Sequence, residues 1–178
     1  LGAVSGGRQS HPNDGIAKTG VFNEFGNSAV FTYGSRSSNS IKYETEVGPL
    51  TVSSMVIIDG ATGKDGIDVI DYSAGMDVGA VALAAGIAND EVNEITYTVA
   101  SAGMDIGGIA LNGTYSKKDN PGSTADLEGM EATASYSVAD NTIHVGYGDK
   151  EGTATYMTYG IERDFTDALK GYAEYQQT

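Results

Sequence analysis

Short segments in which apolar and polar residues alternate recur along most of the sequence, and this period of two restricts the fold more than any other feature. In one segment the apolar residues Ile70, Tyr72, Ala74 and Met76 alternate with polar residues that include Asp71 and Ser73. Successive side chains of a β-strand point to opposite faces. The pattern therefore predicts strands with one apolar and one polar face.

Turn-forming residues divide the chain into segments of strand length. We predict an all-β protein with no helix and eleven strands, at 1–8, 39–46, 50–59, 69–77, 80–88, 94–105, 109–118, 129–139, 142–150, 153–165 and 170–178. Short turns alternate with longer loops, which is typical of consecutive antiparallel hairpins.

An internal repeat supports these hairpins. Residues 73–83 (SAGMDVGAVAL) and 101–111 (SAGMDIGGIAL) share eight of eleven residues at a spacing of 28. Both copies end a strand with Met-Asp and continue into a turn that contains glycine. The short turns are therefore predicted on one side of the sheet and the loops on the other, as in outer-membrane barrels.

The two predicted faces favour a membrane protein over a β-sandwich. Besides the residues named above, the apolar face is predicted to carry Val81, Leu83, Ala85, Ile87, Ile95, Tyr97, Val99, Met130, Ala132, Ala134, Tyr136 and Val138. This face is thin and rich in Tyr, whereas the interior of a sandwich needs bulky interdigitating residues. An antiparallel transmembrane β-barrel explains the pattern, with apolar residues toward lipid and small polar residues toward a wet lumen. Closure also removes exposed sheet edges.

Composition excludes several classes of function. The net charge of −14 argues against nucleic acid as a partner, because phosphate binding requires a basic surface. No signal peptide is visible, and no segment approaches the run of about 20 apolar residues that a membrane-spanning helix requires. The absence of Cys excludes disulfides and thiolate metal sites. Because nothing identifies a nucleophile, we predict neither an enzyme nor a cofactor.

Two other features are interpreted as ordinary. His11 and His144 are the only histidines, and neither has an acid and a hydroxyl at a spacing that suggests a catalytic triad. We expect both to be plain polar residues, with His144 on the lumen side. The acidic, glycine-rich loop 59–68 lacks the spacing of an EF-hand, so we interpret it as a solvated external loop and predict no metal site.

One long segment, at about residues 9–36, fits neither a strand nor a short turn. A structureless loop of this length inside a compact fold is usually functional. It contains its own aromatic residues, among them Phe22, Phe25 and Tyr33, so it can pack against the sheet. We predict that it folds inward, with Arg8 and Arg36 on the wall at its two ends.

Several motifs resemble the general diffusion porins of Gram-negative outer membranes. They are Gly-Gly-Arg-Gln at 6–9, Glu-Phe-Gly at 24–26 and the closing Tyr-Ala-Glu-Tyr at 172–175, and the later strands look like the branch found in marine gamma-proteobacteria. The resemblance implies a trimer of sixteen-stranded barrels, in which these strands would be the fifth to the fifteenth. Because both ends lie within strand-like segments, we interpret 1–178 as a single β-barrel domain fragment lacking both ends.

The resemblance also implies a pore whose narrowest part is set by the long loop, with loop acids facing arginines on the wall. Glu24 matches the loop glutamate, and Arg8 and Arg36 match wall arginines. Lys42 has the lumen-facing parity and adds to the basic side.

Some members of that family carry a second loop acid four positions before the loop glutamate. This chain has Gly20 at that position. The acidic side is therefore expected to be weaker, unless Asp14 substitutes for the missing acid.

The predicted function is passive diffusion of ions and small hydrophilic solutes across the bacterial outer membrane. The predicted partners are the lipid bilayer, two further copies in a homotrimer, and the solutes, and the net charge predicts a preference for cations. The alternative is a β-rich cell-surface adhesin or binding module, in which the strands pack as a sandwich and the loop binds a partner. Contact of Ile70, Tyr72, Leu83 and Tyr97 with lipid would distinguish the two.

Overall fold

The computed structural model describes residues 2–25, 29–58, 66–166 and 168–178, and its regular elements are eleven β-strands. They are β1 (Ala3–Ser10), β2 (Arg36–Val47), β3 (Leu50–Ile57), β4 (Val69–Val78), β5 (Val81–Asp90), β6 (Ile95–Ile106), β7 (Ile109–Asp119), β8 (Leu127–Val138), β9 (Asn141–Lys150), β10 (Thr155–Thr166) and β11 (Leu169–Gln177). Within those ranges there is no helix long and apolar enough to cross a bilayer. The predicted all-β class and strand number are confirmed.

All the strands belong to one antiparallel sheet whose spatial order is the order of the chain. β1 pairs only with β2, and β11 pairs only with β10. The sheet is therefore open along both outer strands.

The internal repeat forms two equivalent hairpins. In the first, Val78 pairs with Val81 across the β4–β5 turn, and in the second, Ile106 pairs with Ile109 across the β6–β7 turn. Gly79 has a φ of 63°, which is in the left-handed region that a two-residue hairpin turn requires. The repeat therefore encodes a strand, a tight turn and a strand, as predicted.

The two faces of the sheet differ in chemistry. We call the face that contacts the segment between β1 and β2 the inner face, and the opposite one the outer face. The outer face carries exposed apolar side chains, including Ile87, Leu83 and Tyr72, of which Tyr72 pairs with Ile87. The inner face is mostly small and polar. The predicted alternation of apolar outside and polar inside is confirmed for most strands.

Strand β6 is the exception, because its predicted faces are inverted. Val99 pairs with Gly86 and Ser116 on the inner face and is 1% exposed, and Tyr97 also lies on this face. Thr98 instead pairs with the outer-face residue Ile87. The prediction that Ile95, Tyr97 and Val99 face lipid is wrong. The physical reason is that the segment between β1 and β2 covers this part of the inner face, so apolar side chains are buried there as well.

The corrected faces of β6 can be tested with single cysteines, since the chain has no cysteine of its own. In the whole protein reconstituted in lipid, we expect a lipid-soluble thiol reagent to label Thr98→Cys and to leave Tyr97→Cys unlabelled, with Tyr72→Cys as the positive control. The measurement is the labelled fraction by mass spectrometry. Labelling of the Tyr97 site in preference to the Thr98 site would contradict the register of β6.

Candidate functional site

The segment that joins β1 to β2 covers residues 11–35 and lies on the inner face; we call it the inner loop. It is shorter than the predicted 9–36, because Gln9 and Ser10 pair with Ser37 and Arg36 and so belong to the strands. Residues 26–28, which include the glycine of the Glu-Phe-Gly motif, lie outside the described residues. The prediction that the loop folds inward is confirmed.

The root of the inner loop is fastened by a buried histidine. His11 Nδ1 donates to Asp71 Oδ2 on β4 at 3.0 Å, and a 2.8 Å hydrogen bond joins His11 Nε2 to Ser37 Oγ on β2. The backbone N–H of His11 donates to the carbonyl of Ser35, which closes the base of the loop. His11 is 3% exposed and Asp71 is fully buried. The expectation that His11 is a plain polar residue is therefore wrong.

From its root the loop runs across the middle of the sheet over small residues. Gly86 on β5 lies beneath Asn13 and Ile16, and a Cβ at Gly86 would lie 2.5 Å from Ile16 Cδ1 and 2.7 Å from the carbonyl oxygen of Tyr72. One strand further on, Ser101 Oγ donates to the carbonyl of Ile16 at 2.6 Å. Glycine at 86 therefore lets the Asn13 and Ile16 side chains of the loop approach the wall closely.

The next contact involves a buried wall carboxylate. Glu131 on β8 accepts hydrogen bonds from the hydroxyls of the loop residue Thr19, at 2.7 Å, and the β10 residue Tyr156, at 2.6 Å. Thr114 on β7 accepts from the backbone N–H of Lys18 at 3.3 Å. Each Glu131 carboxylate oxygen thus has a hydroxyl partner, which lowers the free-energy penalty of burying it.

The loop then reaches β9 and β10 with an aromatic ring. Phe22 packs over two glycines, so that a Cβ would lie 2.6 Å from the ring at Gly146 and 3.0 Å from it at Gly160. The ring also makes an edge-on contact with His144, at 5.8 Å between centroids. His144 lies on the lumen-facing side, as predicted, and a 2.8 Å hydrogen bond joins its Nδ1 to Ser135 Oγ.

The tip of the loop is held on β11. Glu174 accepts from the backbone N–H of Asn23 at 2.6 Å through Oε1, and from the backbone N–H of Glu24 at 3.0 Å through Oε2. The Glu24 carboxylate in turn accepts from the hydroxyl of Tyr172 at 2.9 Å. The predicted loop glutamate therefore lies at the far end of the loop, against the last strand.

The returning arm of the inner loop contacts the end of β7 and the start of β8, close to the connection between these two strands. Gly129 on β8 contacts the carbonyl of Ala29, and Phe31 donates its backbone N–H to Ser116 Oγ at 2.9 Å. Lys150 lies 4.7 Å above the centre of the Phe31 ring. Both arms are thus fixed to the wall.

The predicted basic residues are found at the opposite end of the sheet from the loop tip. Arg8 lies in β1 where the register shifts between Gly7 and Gln9, and Arg36 is the first residue of β2. Both are exposed, and Lys42 faces inward, with its Nζ 2.9 Å from Glu44 Oε1. The structure places all three in the first two strands but gives no direct contact between them and Glu24.

The residue considered as a replacement acid, Asp14, lies beside the loop root. It is exposed, and its backbone N–H donates to the carbonyl of His11. Gly20 is also exposed, and it follows the buried Thr19. Asp14 and Glu24 are therefore at opposite ends of the inner loop.

Groups of acids and histidines that could hold a metal ion are absent from the part of the chain that the structure describes. Residues 59–65, which form most of the acidic loop interpreted as solvated, are outside that part. The loop contacts described above are all made by protein groups.

Four wall partners of the loop were not predicted from the sequence: Asp71, Glu131, Tyr172 and Glu174. One signal was present, since glycines with inner-face parity recur at positions 86, 129, 146 and 160, under the loop. A strand glycine often marks close approach of another backbone. The shared face of these glycines indicates where a loop can pack against the sheet, but it does not indicate which loop residue packs there.

Comparison with known proteins gives a family. The model of the family described as Gram-negative porin matches residues 1–178. No curated protein matches the chain by sequence.

Solved structures share the fold. Salmonella typhi OmpF in complex with daunomycin has a TM-score of 0.79 at 13% identity, over 99% of this chain and 66% of OmpF. The trimer form of in-vitro folded Vibrio cholerae OmpT has a TM-score of 0.70 at 20% identity, over 99% and 66%. A variant of the Rh. blastica porin has a TM-score of 0.73 at 15% identity, over 98% and 68%. The chain thus spans about two thirds of the length of each.

Proposed function

Because this chain belongs to the Gram-negative porin family, we propose that it forms most of a passive diffusion channel for ions and small hydrophilic solutes in the bacterial outer membrane. The observation that carries the proposal is the inner loop, which is fixed to the inner face from β4 to β11 and occupies space in the lumen. The family is one of channels and not of enzymes. The trimeric structure of OmpT supports a homotrimer for the whole protein.

The outer face supports a lipid environment. Its exposed apolar side chains include Tyr72 (48%), Leu83 (42%) and Ile161 (47%). Apolar patches much larger than a few hundred Å² are rarely left in water. The adhesin alternative requires a second sheet over this face, whereas all the described strands belong to one sheet. The observations therefore favour the channel.

For the constriction, we propose that Glu24 forms the acidic side and that Arg8, Arg36 and Lys42 contribute to the basic side, with Asp14 as a further loop acid. Charged groups on a narrow pore set its ion preference. The net charge of −14 supports a preference for cations. The pairing of Lys42 with Glu44 makes Lys42 the weakest of the three basic residues.

Single-channel recording of the whole protein in planar bilayers tests this proposal. We expect Glu24→Gln to lower the cation-to-anion permeability ratio and Arg8→Ala to raise it, each by about two- to five-fold, because one screened charge near a passing ion contributes about 0.4–1 kcal/mol. The reversal potential in a salt gradient measures the ratio.

The matched control is Asp105→Asn. Asp105 lies beside the β6–β7 turn, and its Oδ1 accepts from the backbone N–H of Gly108, a role that the Asn oxygen can keep. We expect no change in the permeability ratio. A permeability ratio that is unchanged in Glu24→Gln and Arg8→Ala would reject the assigned constriction. A wild-type protein without conductance would reject the channel.

A further inference from the structure

The wall next to the loop tip supplies a carboxylate that the loop lacks. The loop has glycine at position 20, where some porins carry a second loop acid, and Asp14 lies at the root of the loop. At the tip, however, Glu174 on β11 lies directly against Asn23 and Glu24. Glu174 and Tyr172 have the same parity on β11, so both point toward the inner face.

The geometry holds Glu174 in its ionised form. Both of its oxygens accept backbone N–H groups, and Asn23 Nδ2 adds a 3.4 Å contact to Oε1. A carboxylate with several such donors is stabilised as the anion. Glu174 and Glu24 are therefore two carboxylates at one place, held in position by backbone and hydroxyl donors.

This pair differs from the inner-face acids Glu44 and Glu162 in having no cationic partner. Glu44 pairs with Lys42, and Glu162 pairs with Lys170, at 2.9 Å in each case. Among the residues that the structure describes, neither Glu24 nor Glu174 forms an ion pair with Lys, Arg or His. Their negative charges are therefore not offset locally, and they act on any ion that passes the loop tip.

We propose that Glu174 is the second acid of the constriction and also the residue that positions Glu24, and that together they select for cations. This inference rests on the proposed channel function. It assigns two roles to one side chain: its charge attracts the permeating cation, and its two oxygens hold the backbone of the loop tip against β11.

Two substitutions of Glu174 separate these roles. Glu174→Gln keeps the length of the side chain but removes the charge and one acceptor, whereas Glu174→Asp keeps the charge and shortens the reach to the loop. In a potassium chloride gradient we expect Glu174→Gln to lower the cation-to-anion permeability ratio about two-fold or more. We expect Glu174→Asp to retain most of the ratio while the open-channel current becomes noisier, because the tip is held less tightly.

Glu162→Gln is the control. Glu162 lies opposite Tyr172 on the neighbouring strand β10, so the substitution removes one inner-face carboxylate near the same height, one that is paired with Lys170. We expect a smaller change in the ratio than for Glu174→Gln, because Glu162 already has a lysine partner.

The outcomes are distinct. A lower cation-to-anion permeability ratio in Glu174→Gln, together with a nearly wild-type ratio in Glu174→Asp, supports the inference. Equal loss in both variants would leave Glu174 only a positioning role and overturn its role as a selecting acid. A wild-type ratio in Glu174→Gln, or a change no larger than that of Glu162→Gln, would overturn the inference while the channel stands. Absence of conductance in the wild-type protein would instead reject the channel itself.

Discussion

Replacing Gly86 with alanine is expected to lower the single-channel conductance of the whole protein and to destabilise it. The added Cβ would lie between the wall and the inner loop, within 2.7 Å of Ile16 Cδ1 and of the carbonyl oxygen of Tyr72. The carbonyl belongs to the paired strand and cannot move freely, so the loop must shift toward the centre of the lumen. Overpacking of this kind costs about 1–3 kcal/mol. Planar-bilayer recording and urea unfolding of the reconstituted protein measure the two effects.

Gly75→Ala is the matched control for this prediction. Gly75 has inner-face parity on the neighbouring strand β4, but its added Cβ would lie 3.4 Å from the carbonyl oxygen of Leu83 and 3.5 Å from Ala84 Cβ, near ordinary contact distance. We expect nearly unchanged conductance and stability. Equal conductance in the two alanine variants would show that the loop does not rest on Gly86.

Removal of the His11 side chain is expected to release the root of the inner loop. In His11→Ala, the buried Asp71 carboxyl loses its hydrogen bond to the imidazole, and leaving a buried polar group without such a partner costs about 1–3 kcal/mol. Detachment of the loop lets water reach Asp71, so we expect faster proteolysis at the loop root as well as a lower free energy of unfolding. Limited proteolysis and urea titration are the measurements.

A double-mutant cycle makes this result specific to the pair. His11→Ala combined with Asp71→Ala leaves no buried carboxyl without its partner, so we expect the double variant to be more stable than His11→Ala alone. His144→Ala is the second control, because His144 is half-exposed and its side chain has a hydrogen bond to Ser135 and not to a carboxylate. A double variant less stable than His11→Ala would show that Asp71 does not depend on His11.

The strand order and the hairpins could be predicted because their determinants are local. Glycine turns, a period of two and a repeat at a spacing of 28 residues lie within adjacent segments. Every strand pairs only with its neighbours in the chain, so no long-range information was needed.

The inverted faces of β6 show where local alternation misleads. Val99 is buried and Tyr97 is half-buried beside the loop residue Tyr33, so neither faces lipid. The internal repeat indicates the correct face. Ser101 is equivalent to Ser73, which faces inward, and Val99 has the same parity as Ser101, so Val99 faces inward too. For the two faces of β6, equivalent positions of the repeat are therefore a better guide than apolarity is.

The partners of the loop could not be predicted from the sequence, for a different reason. His11 and Asp71 are 60 residues apart, and Asn23 and Glu174 are 151 apart. No short-range pattern relates such residues, because each pair is brought together only after several strands have formed. Glu24, Arg8, Arg36 and Lys42 came from a resemblance, and their roles in ion selection remain predictions.

The attachment of the loop tip to β11 also sets an order of events during folding. Each strand pairing joins neighbours in the chain, so the sheet can grow hairpin by hairpin with small losses of chain entropy. The contact between Asn23 and Glu174 cannot form until β11 has joined the sheet. Because Asn23 and Glu174 are 151 residues apart, the tip of the inner loop can be fixed only late in the assembly of this sheet.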